Sequence, residues 1–300
     1  MCLREVALGG SLVVAAAESR RGRRLDLEKV FGEVEEFSVT HLAVAPPVVK
    51  KCELSSLEVV MSGGAPVAST VFERIKAKFS NISLIQGYGL TKISAAVTRP
   101  LGGFESDVKG SNGRLVSNCQ ARIVDPLTGD SLPPLRPGEL WIRGPTVMKD
   151  TFHLWYVGDK EATAAMVDSV GWLRTGDICF FDENGLLFYV ERLKDLIKYN
   201  GYQVAPAELE DLLLSHPAIV DAAVIPYPDE DAGQIPAAFV VKEPGSTINE
   251  SLIMDFVAQK VAPYKKIRRV FFTDTIPKNA AEKVLRKELV KLATRVASKL

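Results

Sequence analysis

The sequence lacks several features that would assign it to a common class of protein. Its 300 residues contain 37 Lys and Arg and 37 Asp and Glu, so the formal net charge is zero. A dedicated nucleic-acid-binding protein would carry a basic excess instead. No apolar run reaches the roughly 20 residues that span a bilayer. The four cysteines, Cys2, Cys52, Cys119 and Cys179, lie far apart without a CxxC pair, which argues against a zinc site or a disulfide framework.

The composition and the two ends of the chain are more informative. Hydrophobic residues make up 47% and charged residues 25%, which excludes a disordered or collagen-like chain. Arg4 and the apolar stretch 6–17 resemble a signal peptide, but Gly9-Gly10 interrupts the stretch. We therefore expect a buried strand at 12–17 and not a secreted protein. The last residues, Ser298-Lys299-Leu300, match the tripeptide that the peroxisomal import receptor reads, which predicts a peroxisomal protein.

Strands and helices alternate in the first third of the chain. Apolar residues recur with the period of a strand or a helix, which predicts strands at 41–45, 57–61 and 82–86 and helices at 27–37 and 67–79. This alternation indicates an α/β fold with a mostly parallel, doubly wound sheet. Glycine-containing turns at 62–66 and 87–91 follow two of the strands. Ligands of such sheets bind at the carboxyl ends of strands, so both turns are candidate binding segments.

The rest of the chain is predicted to form two further units. From about residue 109, short strands alternate with Pro- and Gly-rich turns, including a hairpin at 182–185, which indicates a β-rich subdomain. From about residue 192 the pattern is typical of a small α+β domain, with a last helix at 282–293. We therefore predict domain limits of 1–108, 109–191 and 192–300.

Four segments of the sequence carry residue types that suit nucleotide chemistry. They are Gln-Gly-Tyr-Gly-Leu-Thr at 86–91, Gly-Trp-Leu-Arg-Thr-Gly-Asp at 171–177, Glu-Arg-Leu-Lys-Asp-Leu-Ile-Lys at 191–198 and Gly-Tyr-Gln-Val-Ala-Pro-Ala-Glu-Leu-Glu at 201–210. In this order and spacing they resemble the adenylate-forming enzymes, which include acyl-CoA synthetases, luciferases and peptide-synthetase adenylation domains. The last two segments are most similar to plant 4-coumarate–CoA ligases and their peroxisomal ligase-like relatives.

This resemblance implies a reaction in two steps. A carboxylate attacks the α-phosphate of ATP to give an acyl-adenylate and pyrophosphate, and the thiol of CoA displaces AMP after the small C-terminal domain has rotated. The chain is therefore expected to be an AMP-forming acid–CoA ligase that uses ATP, Mg²⁺ and CoA and activates a hydrophobic carboxylic acid. Two alternatives stay open: a truncated or weak protein that binds AMP or acyl-adenylate without efficient use of ATP, and a luciferase-like oxygenase.

The resemblance also implies roles for individual residues. Asp177 would hold the ribose of AMP, since one carboxylate accepts hydrogen bonds from both ribose hydroxyls, and Arg192 would be a second contact. Lys283 would be the catalytic lysine, whose charge stabilises the charge that develops at the α-phosphate. Taken alone, Asp177 would be a turn residue and the lysines solvated charges. The remaining residues implied to contact the adenylate are Gly64, Gln86, Gly87, Thr91, Lys194 (the hinge position), Lys198 and Gln203.

Lys198 and Gln203 are further implied to assist catalysis, and Asn200 and Gly201 to bind CoA. Three features depart from the family's pattern. The sequence has no Ser/Thr/Gly-rich phosphate loop ending in lysine, so we expect an N-terminally truncated form with poor ATP-dependent adenylation. Lys92 occupies the position of a glutamate that binds Mg²⁺, and Glu282 replaces the glycine before the catalytic lysine.

Overall fold

The computed structural model describes part of the chain. The described residues are 11, 27–43, 55–64, 67, 69–78, 82–94, 96–147, 166–279 and 283–297. The predicted strand at 12–17, the tripeptide at 298–300, Cys2 and Cys52 lie outside them. None of the helices in the described ranges has the length and apolar character needed to cross a bilayer.

A three-stranded parallel sheet forms the first unit. Its elements are α1 (Leu27–Glu36), β1 (His41–Ala43), β2 (Val59–Ser62), α2 (Ser69–Lys78) and β3 (Ser83–Gln86). The strand order is β1-β2-β3 and both pairings are parallel, as the alternation of strands and helices predicted. Phe31, Val60 and Leu84 belong to its buried core. Phe37 was expected on the apolar face of the first helix, but α1 ends at Glu36 and Phe37 is 55% exposed.

A seven-stranded antiparallel sheet follows. Its strands are β4 (Tyr88–Gly89), β5 (Ala96–Arg99), β6 (Ser111–Leu115), β7 (Gln120–Val124), β8 (Gly138–Arg143), β9 (Leu173–Phe181) and β10 (Leu186–Arg192), and a short helix α3 (Gly103–Ser106) precedes β6. The order is β4-β5-β6-β10-β9-β8-β7. The hairpin predicted at 182–185 joins β9 to β10. The sheet thus takes its first two strands from residues before 109.

A small α+β unit completes the described chain. Its elements are β11 (Ile197–Tyr199), β12 (Tyr202–Val204), α4 (Pro206–Leu214), β13 (Ile219–Asp229), β14 (Gly233–Lys242), α5 (Glu250–Ala258), β15 (Arg269–Phe272) and α6 (Arg286–Ala297). The strands are ordered β12-β11-β14-β13, and β15 pairs with β14. Val224 packs with the cluster that contains α4 and α5, whereas its neighbour Ile225 packs against α6. This alternation is the period-two pattern of a sheet covered on both faces.

The last helix begins later than the sequence predicted. The helix expected at 282–293 starts at Arg286, so Lys283 lies in the segment before it. Backbone N–H of Asn279 donates to the carbonyl of Lys283 (2.9 Å), and Lys278 and Val284 form an antiparallel bridge. These strand-like bonds hold the backbone of Lys283 in an extended segment and delay the helix.

Candidate functional site

Asp177 is the centre of a buried polar cluster in the seven-stranded sheet. The hydroxyl of Tyr88 donates a hydrogen bond to Asp177 Oδ2 (2.6 Å), and Nε of Arg192 lies 3.5 Å from Oδ1. Asp177 and Arg192 face each other across β9 and β10. The hydroxyl of Thr175 accepts from the backbone N–H of Asp177 (3.1 Å) and donates to the carbonyl of Leu140 (2.6 Å). The carboxylate therefore has a fixed position with only 3% of the residue exposed.

The charges around Asp177 come from three separate parts of the chain. Burial raises the pKa of its carboxyl, and the hydrogen bond from Tyr88 and the charges of Arg192, Lys92 and Lys283 oppose that rise. Lys92 follows β4, Arg192 ends β10 and Lys283 precedes α6. We call Tyr88, Lys92, Asp177, Arg192 and Lys283 the Asp177 site. Of the residues predicted from the sequence, Arg192 thus lies beside Asp177, and Lys283, which is exposed, acts on the pKa of Asp177 through its charge.

Lys92 is held by Met166, and its charge acts on Asp177. Its Nζ donates to Sδ of Met166 (3.1 Å), and the residue is partly buried. Burial lowers the pKa of the Lys92 ammonium, the charge of Asp177 opposes that change, and the charges of Arg192 and Lys194 add to it. A cation therefore occupies the place where the resemblance implies a magnesium ligand.

The donor set does not fit a magnesium ion. Mg²⁺ takes oxygen ligands, usually carboxylates together with water and phosphate. Nowhere in the described ranges do three or more His, Cys, Asp or Glu side chains come together in a possible metal site. At the Asp177 site the carboxylate is engaged by Tyr88 and Arg192, and its neighbours are an ammonium and a thioether.

The predicted residues at the strand ends lie on one edge of the parallel sheet. Ser62 and Gln86 are register partners at the ends of β2 and β3. Gly64 follows β2 with a φ of +80°, a conformation that favours glycine, and Gly87 follows β3. Thr91 is exposed in the turn after β4. Gly64, Gln86 and Gly87 thus occupy the carboxyl edge of the parallel sheet, where the sequence predicted binding segments, whereas Thr91 follows a strand of the seven-stranded sheet.

The predicted residues of the small unit lie around one hairpin. Lys198 and Gln203 are register partners across β11 and β12, and both are exposed. Asn200 and Gly201 form the turn, with φ of +46° and +82°. Lys194 lies in a single 3₁₀ turn, Leu193–Asp195. Among the described residues, the side chains that act on Asp177 include Lys283, through its charge, but not Lys198 or Gln203.

Tyr88 acts in the site in a way that the sequence did not predict. Its position between Gly87 and Gly89 predicts either stacking on adenine or packing in the core. It is 7% exposed and donates its hydroxyl to Asp177. Burial, followed by the charge of Asp177, raises the pKa of the Tyr88 hydroxyl, which keeps it protonated as a donor.

A second charged cluster lies beside the site and was also missed. Glu191 at the end of β10 is buried, and its carboxylate accepts from the backbone N–H of Arg192 (2.9 Å) and of Ala207 in α4 (3.1 Å). Nη2 of Arg286 lies 3.9 Å from Glu191 and donates to both carboxylate oxygens of Glu210 (2.8 and 2.9 Å). We call Glu191, Glu210 and Arg286 the carboxylate–arginine cluster. Charged residues at positions that the apolar pattern predicts to be buried are the signal that would have identified this cluster.

The cluster fixes the segment that carries Lys283. Burial raises the pKa of Glu210, and the charge of Arg286 opposes the rise. Burial lowers the pKa of Arg286, but Glu210 and Glu191 raise it by more, so the guanidinium stays charged. Arg286 is three residues beyond Lys283, whose backbone N–H donates to Oδ1 of Asn279 (3.0 Å).

A further carboxylate, Asp211 in α4, accepts from the backbone N–H of Ser69 in α2 (2.9 Å).

Known proteins share both the sequence and the fold. The family description "AMP-binding enzyme" matches residues 2–150, and "AMP-binding enzyme C-terminal domain" matches residues 208–283. The protein "4-coumarate--CoA ligase-like 9" of Arabidopsis thaliana is 49% identical over 98% of this chain and 52% of its own length. "Peroxisomal OPC-8:0-CoA ligase 1" of the same plant is 44% identical over 96% of this chain and 53% of its own.

Solved structures agree with these matches. ATP-bound MatB from Rhodopseudomonas palustris superimposes with a TM-score of 0.81 at 26% identity, over 91% of this chain and 54% of MatB. MenE from Bacillus subtilis in complex with an acyl-adenylate gives 0.79 at 27% identity, over 96% of this chain and 57% of MenE. The chain thus spans about half of the length of the proteins it matches. With both family regions matched in order and the fold in common, the chain belongs to the family of AMP-binding enzymes.

Proposed function

We propose that the chain carries the nucleotide-binding and catalytic residues of an AMP-forming acid–CoA ligase. One observation carries the proposal: the buried carboxylate of Asp177 is held by Tyr88 (2.6 Å) and Arg192 (3.5 Å) in the large sheet, and the charge of Lys283, from the small unit, is one of those that oppose the rise in its pKa. A cation that acts on a ribose-binding carboxylate suits a reaction in which negative charge develops on an α-phosphate. The matches to CoA ligases along both family regions support the same chemistry.

Each residue then has a task that suits its position. The carboxylate of Asp177 accepts hydrogen bonds from the ribose hydroxyls of AMP, Arg192 adds a second contact, and Lys283 stabilises the charge at the phosphate during attack by the substrate carboxylate. The strand-end residues line the adenylate: Gly64, Gln86, Gly87 and Thr91.

The hairpin of β11 and β12 would act through motion of the small unit. We propose that the small unit, which the sequence assigns to 192–300, moves as one domain relative to the large α/β and β-rich parts, 1–108 and 109–191. The hinge is Lys194, so that Arg192 stays in β10 beside Asp177. Such a movement would bring Lys198 and Gln203 to the adenylate. It would also place Asn200 and Gly201 beside the pantetheine arm of CoA, where a turn with positive φ lets the backbone approach closely.

The substrate is proposed to be a hydrophobic carboxylic acid. The relatives are named for 4-coumarate and for OPC-8:0, both activated as CoA esters. One of them is named as peroxisomal, which supports a peroxisomal location for this chain and recognition of Ser298-Lys299-Leu300 by the import receptor. ATP and CoA are the proposed co-substrates.

A second candidate is favoured by one feature, the replacement of a magnesium ligand by Lys92. A site of this kind would bind AMP or acyl-adenylate and transfer the acyl group to CoA while using ATP poorly. The two candidates differ in one half-reaction, and the experiment below separates them.

The test measures the half-reactions of the purified chain separately. The chain is given ATP with a panel of hydrophobic acids, and pyrophosphate release is recorded; in a second assay it is given a synthetic acyl-adenylate and CoA, and acyl-CoA formation is recorded. Acid-dependent pyrophosphate release would support the ligase, and thioester formation alone would support the second candidate. If neither reaction exceeds the uncatalysed rate, both candidates are wrong.

Variants locate the chemistry in the site. Lys283→Ala should reduce adenylate formation on the order of 10²-fold, the usual loss for one donor at a developing charge. Lys287→Ala is the matched control, because Lys287 is an exposed lysine in the first turn of α6, four residues after Lys283. Equal loss in both variants would argue against a catalytic role for Lys283.

A further inference from the structure

We propose that the ammonium of Lys92 takes the place of a divalent cation in the Asp177 site, so that the site binds a nucleotide phosphate without site-bound magnesium. The inference rests on the proposed function, since it concerns the same nucleotide site. It departs from what the resemblance implies, which is a glutamate at this position and a bound Mg²⁺.

The position of Lys92 is the first reason. The segment that begins with Tyr88, which donates to Asp177, also carries Lys92, and the Nζ of Lys92 lies against Sδ of Met166 at 3.1 Å. The side chain is partly buried, so its ammonium is held against Met166 and does not extend freely into solvent. A lysine whose aliphatic chain is buried and whose ammonium is held in place can stabilise an anion without rearranging when the anion binds.

The balance of charge is the second reason. The charges that act on Lys92 are those of Asp177, Arg192 and Lys194, and Lys283 acts on the same carboxylate. The one carboxylate, Asp177, thus has Arg192 at 3.5 Å, and the charges of Arg192, Lys92 and Lys283 all act on its pKa. An excess of positive charge in a partly desolvated site attracts a phosphate and repels a divalent cation.

The ligand chemistry is the third reason. A magnesium ion needs oxygen donors that are free to coordinate it. Asp177 Oδ2 already accepts from Tyr88, and Oδ1 faces Arg192. The thioether of Met166 is a soft ligand, unsuited to this hard cation. Cationic side chains therefore neutralise the negative charge of the phosphate in place of a metal ion.

The experiment measures nucleotide binding, not turnover. Binding of AMP and of ATP to the purified chain is measured by calorimetry, once in EDTA and once in excess MgCl₂. The wild-type chain should bind ATP at least as tightly in EDTA as with magnesium, because free ATP carries more negative charge than its magnesium complex. In EDTA, Lys92→Met should weaken ATP binding about tenfold and Lys92→Glu about 100-fold, the effect of removing or reversing one nearby charge in a partly screened site.

Magnesium should rescue one variant only. With excess MgCl₂, Lys92→Glu should recover most of its affinity, because the new carboxylate supplies an oxygen ligand, and Lys92→Met should not. Lys109→Met is the matched control, since Lys109 is an exposed lysine that pairs with Glu73 (3.1 Å), and its affinities should equal those of the wild type. Circular dichroism and thermal unfolding of each variant establish that the fold is retained.

The outcomes separate the two proposals. A rise of tenfold or more in wild-type ATP affinity on adding magnesium would overturn the role of Lys92, as would unchanged affinity in Lys92→Met, and both results leave the nucleotide site in place. If neither AMP nor ATP binds under either condition, the proposed function itself is wrong.

Discussion

The hydrogen bond from Tyr88 to Asp177 should be a large single contribution to the stability of the seven-stranded sheet. Tyr88→Phe removes one hydroxyl and leaves the ring in place. The bond is 2.6 Å long, its acceptor is a carboxylate and both residues are buried. Hydrogen bonds to charged groups contribute about 1.5–3 kcal/mol. We expect Tyr88→Phe to lower the free energy of unfolding by about 2 kcal/mol near neutral pH.

The loss should depend on pH in a defined direction. Burial raises the pKa of Asp177 above its unfolded value, so the stabilising effect of its protonation is complete below the unfolded pKa and is lost as pH rises through the folded pKa. Because the hydrogen bond from Tyr88 opposes that rise, its removal moves the folded pKa further upward. The difference between variant and wild type should therefore grow as the pH increases from acid to neutral.

Urea unfolding followed by tryptophan fluorescence measures this difference. Trp141 lies in β8 and Trp172 directly precedes β9, so both report on the sheet that holds Asp177. A loss of about 2 kcal/mol shifts the urea midpoint by roughly 1 M. Tyr189→Phe is the control: Tyr189 stacks on Tyr88 with ring centroids 6.4 Å apart, but its hydroxyl is 3.4 Å from Glu191. We expect its removal to cost less than about 1 kcal/mol.

Two results would refute this reasoning. An equal loss in Tyr88→Phe and Tyr189→Phe would mean that general packing, and not the bond to Asp177, determines the effect. A loss that is as large at acid pH as at neutral pH would mean that the ionised carboxylate is not the acceptor that matters.

Two further predictions concern the carboxylates that face the small unit. Arg286→Met should lower the free energy of unfolding by about 3 kcal/mol at neutral pH, because Glu210 and Glu191 lose their buried partner. The pKa of Glu210 would then rise further, so the loss measured by urea unfolding should be smaller at acid pH. A loss that does not change with pH would contradict the ion pair. Asp211→Asn should cost only about 0.5–1 kcal/mol, since the amide oxygen still accepts from Ser69 but the charge at the start of α2 is gone. Hydrogen exchange should rise at Ser69 in that variant and more strongly in Asp211→Ala, and unchanged exchange in both would exclude the contact.

Much of the fold could be predicted from local pattern. The hairpin between β9 and β10 is marked by a turn whose Gly185 has a φ of +77°, and the parallel strands are marked by apolar runs bounded by glycine. Strand ends were harder. The apolar patterns at 219–225 and 237–241 predict strands with those limits, but β13 continues to Asp229 and β14 begins at Gly233. Pro226 and Pro228 lie in that extension, and proline is unusual within strands because it cannot donate to the ladder.

The site was predictable to the extent that its residues lie in recognisable segments. The sequence indicated Asp177, Arg192 and Lys283; the structure places Arg192 3.5 Å from Asp177, and the role of Lys283 stays a prediction. It did not indicate the pairing of Arg286 with Glu210, because the two are 76 residues apart and charge pairing over such a separation is set by tertiary packing. The start of α6 was also missed, since the bridge between Lys278 and Val284 overrides a helical pattern that local spacing alone favours.

The contacts at Ser69 and Ala207 have a common form with a mechanical consequence. Asp211 reaches from the small unit to the first amide of α2, and Glu191 reaches from the large sheet to an amide in the first turn of α4. Each attachment is one carboxylate on the positive end of a helix, directed in opposite senses across the joint. Such bonds act over a short distance at the end of a helix. The apolar cluster of Ile178, Leu196 and Ala205 spans the same boundary. Any displacement of the small unit would therefore have to break these polar attachments and separate that cluster.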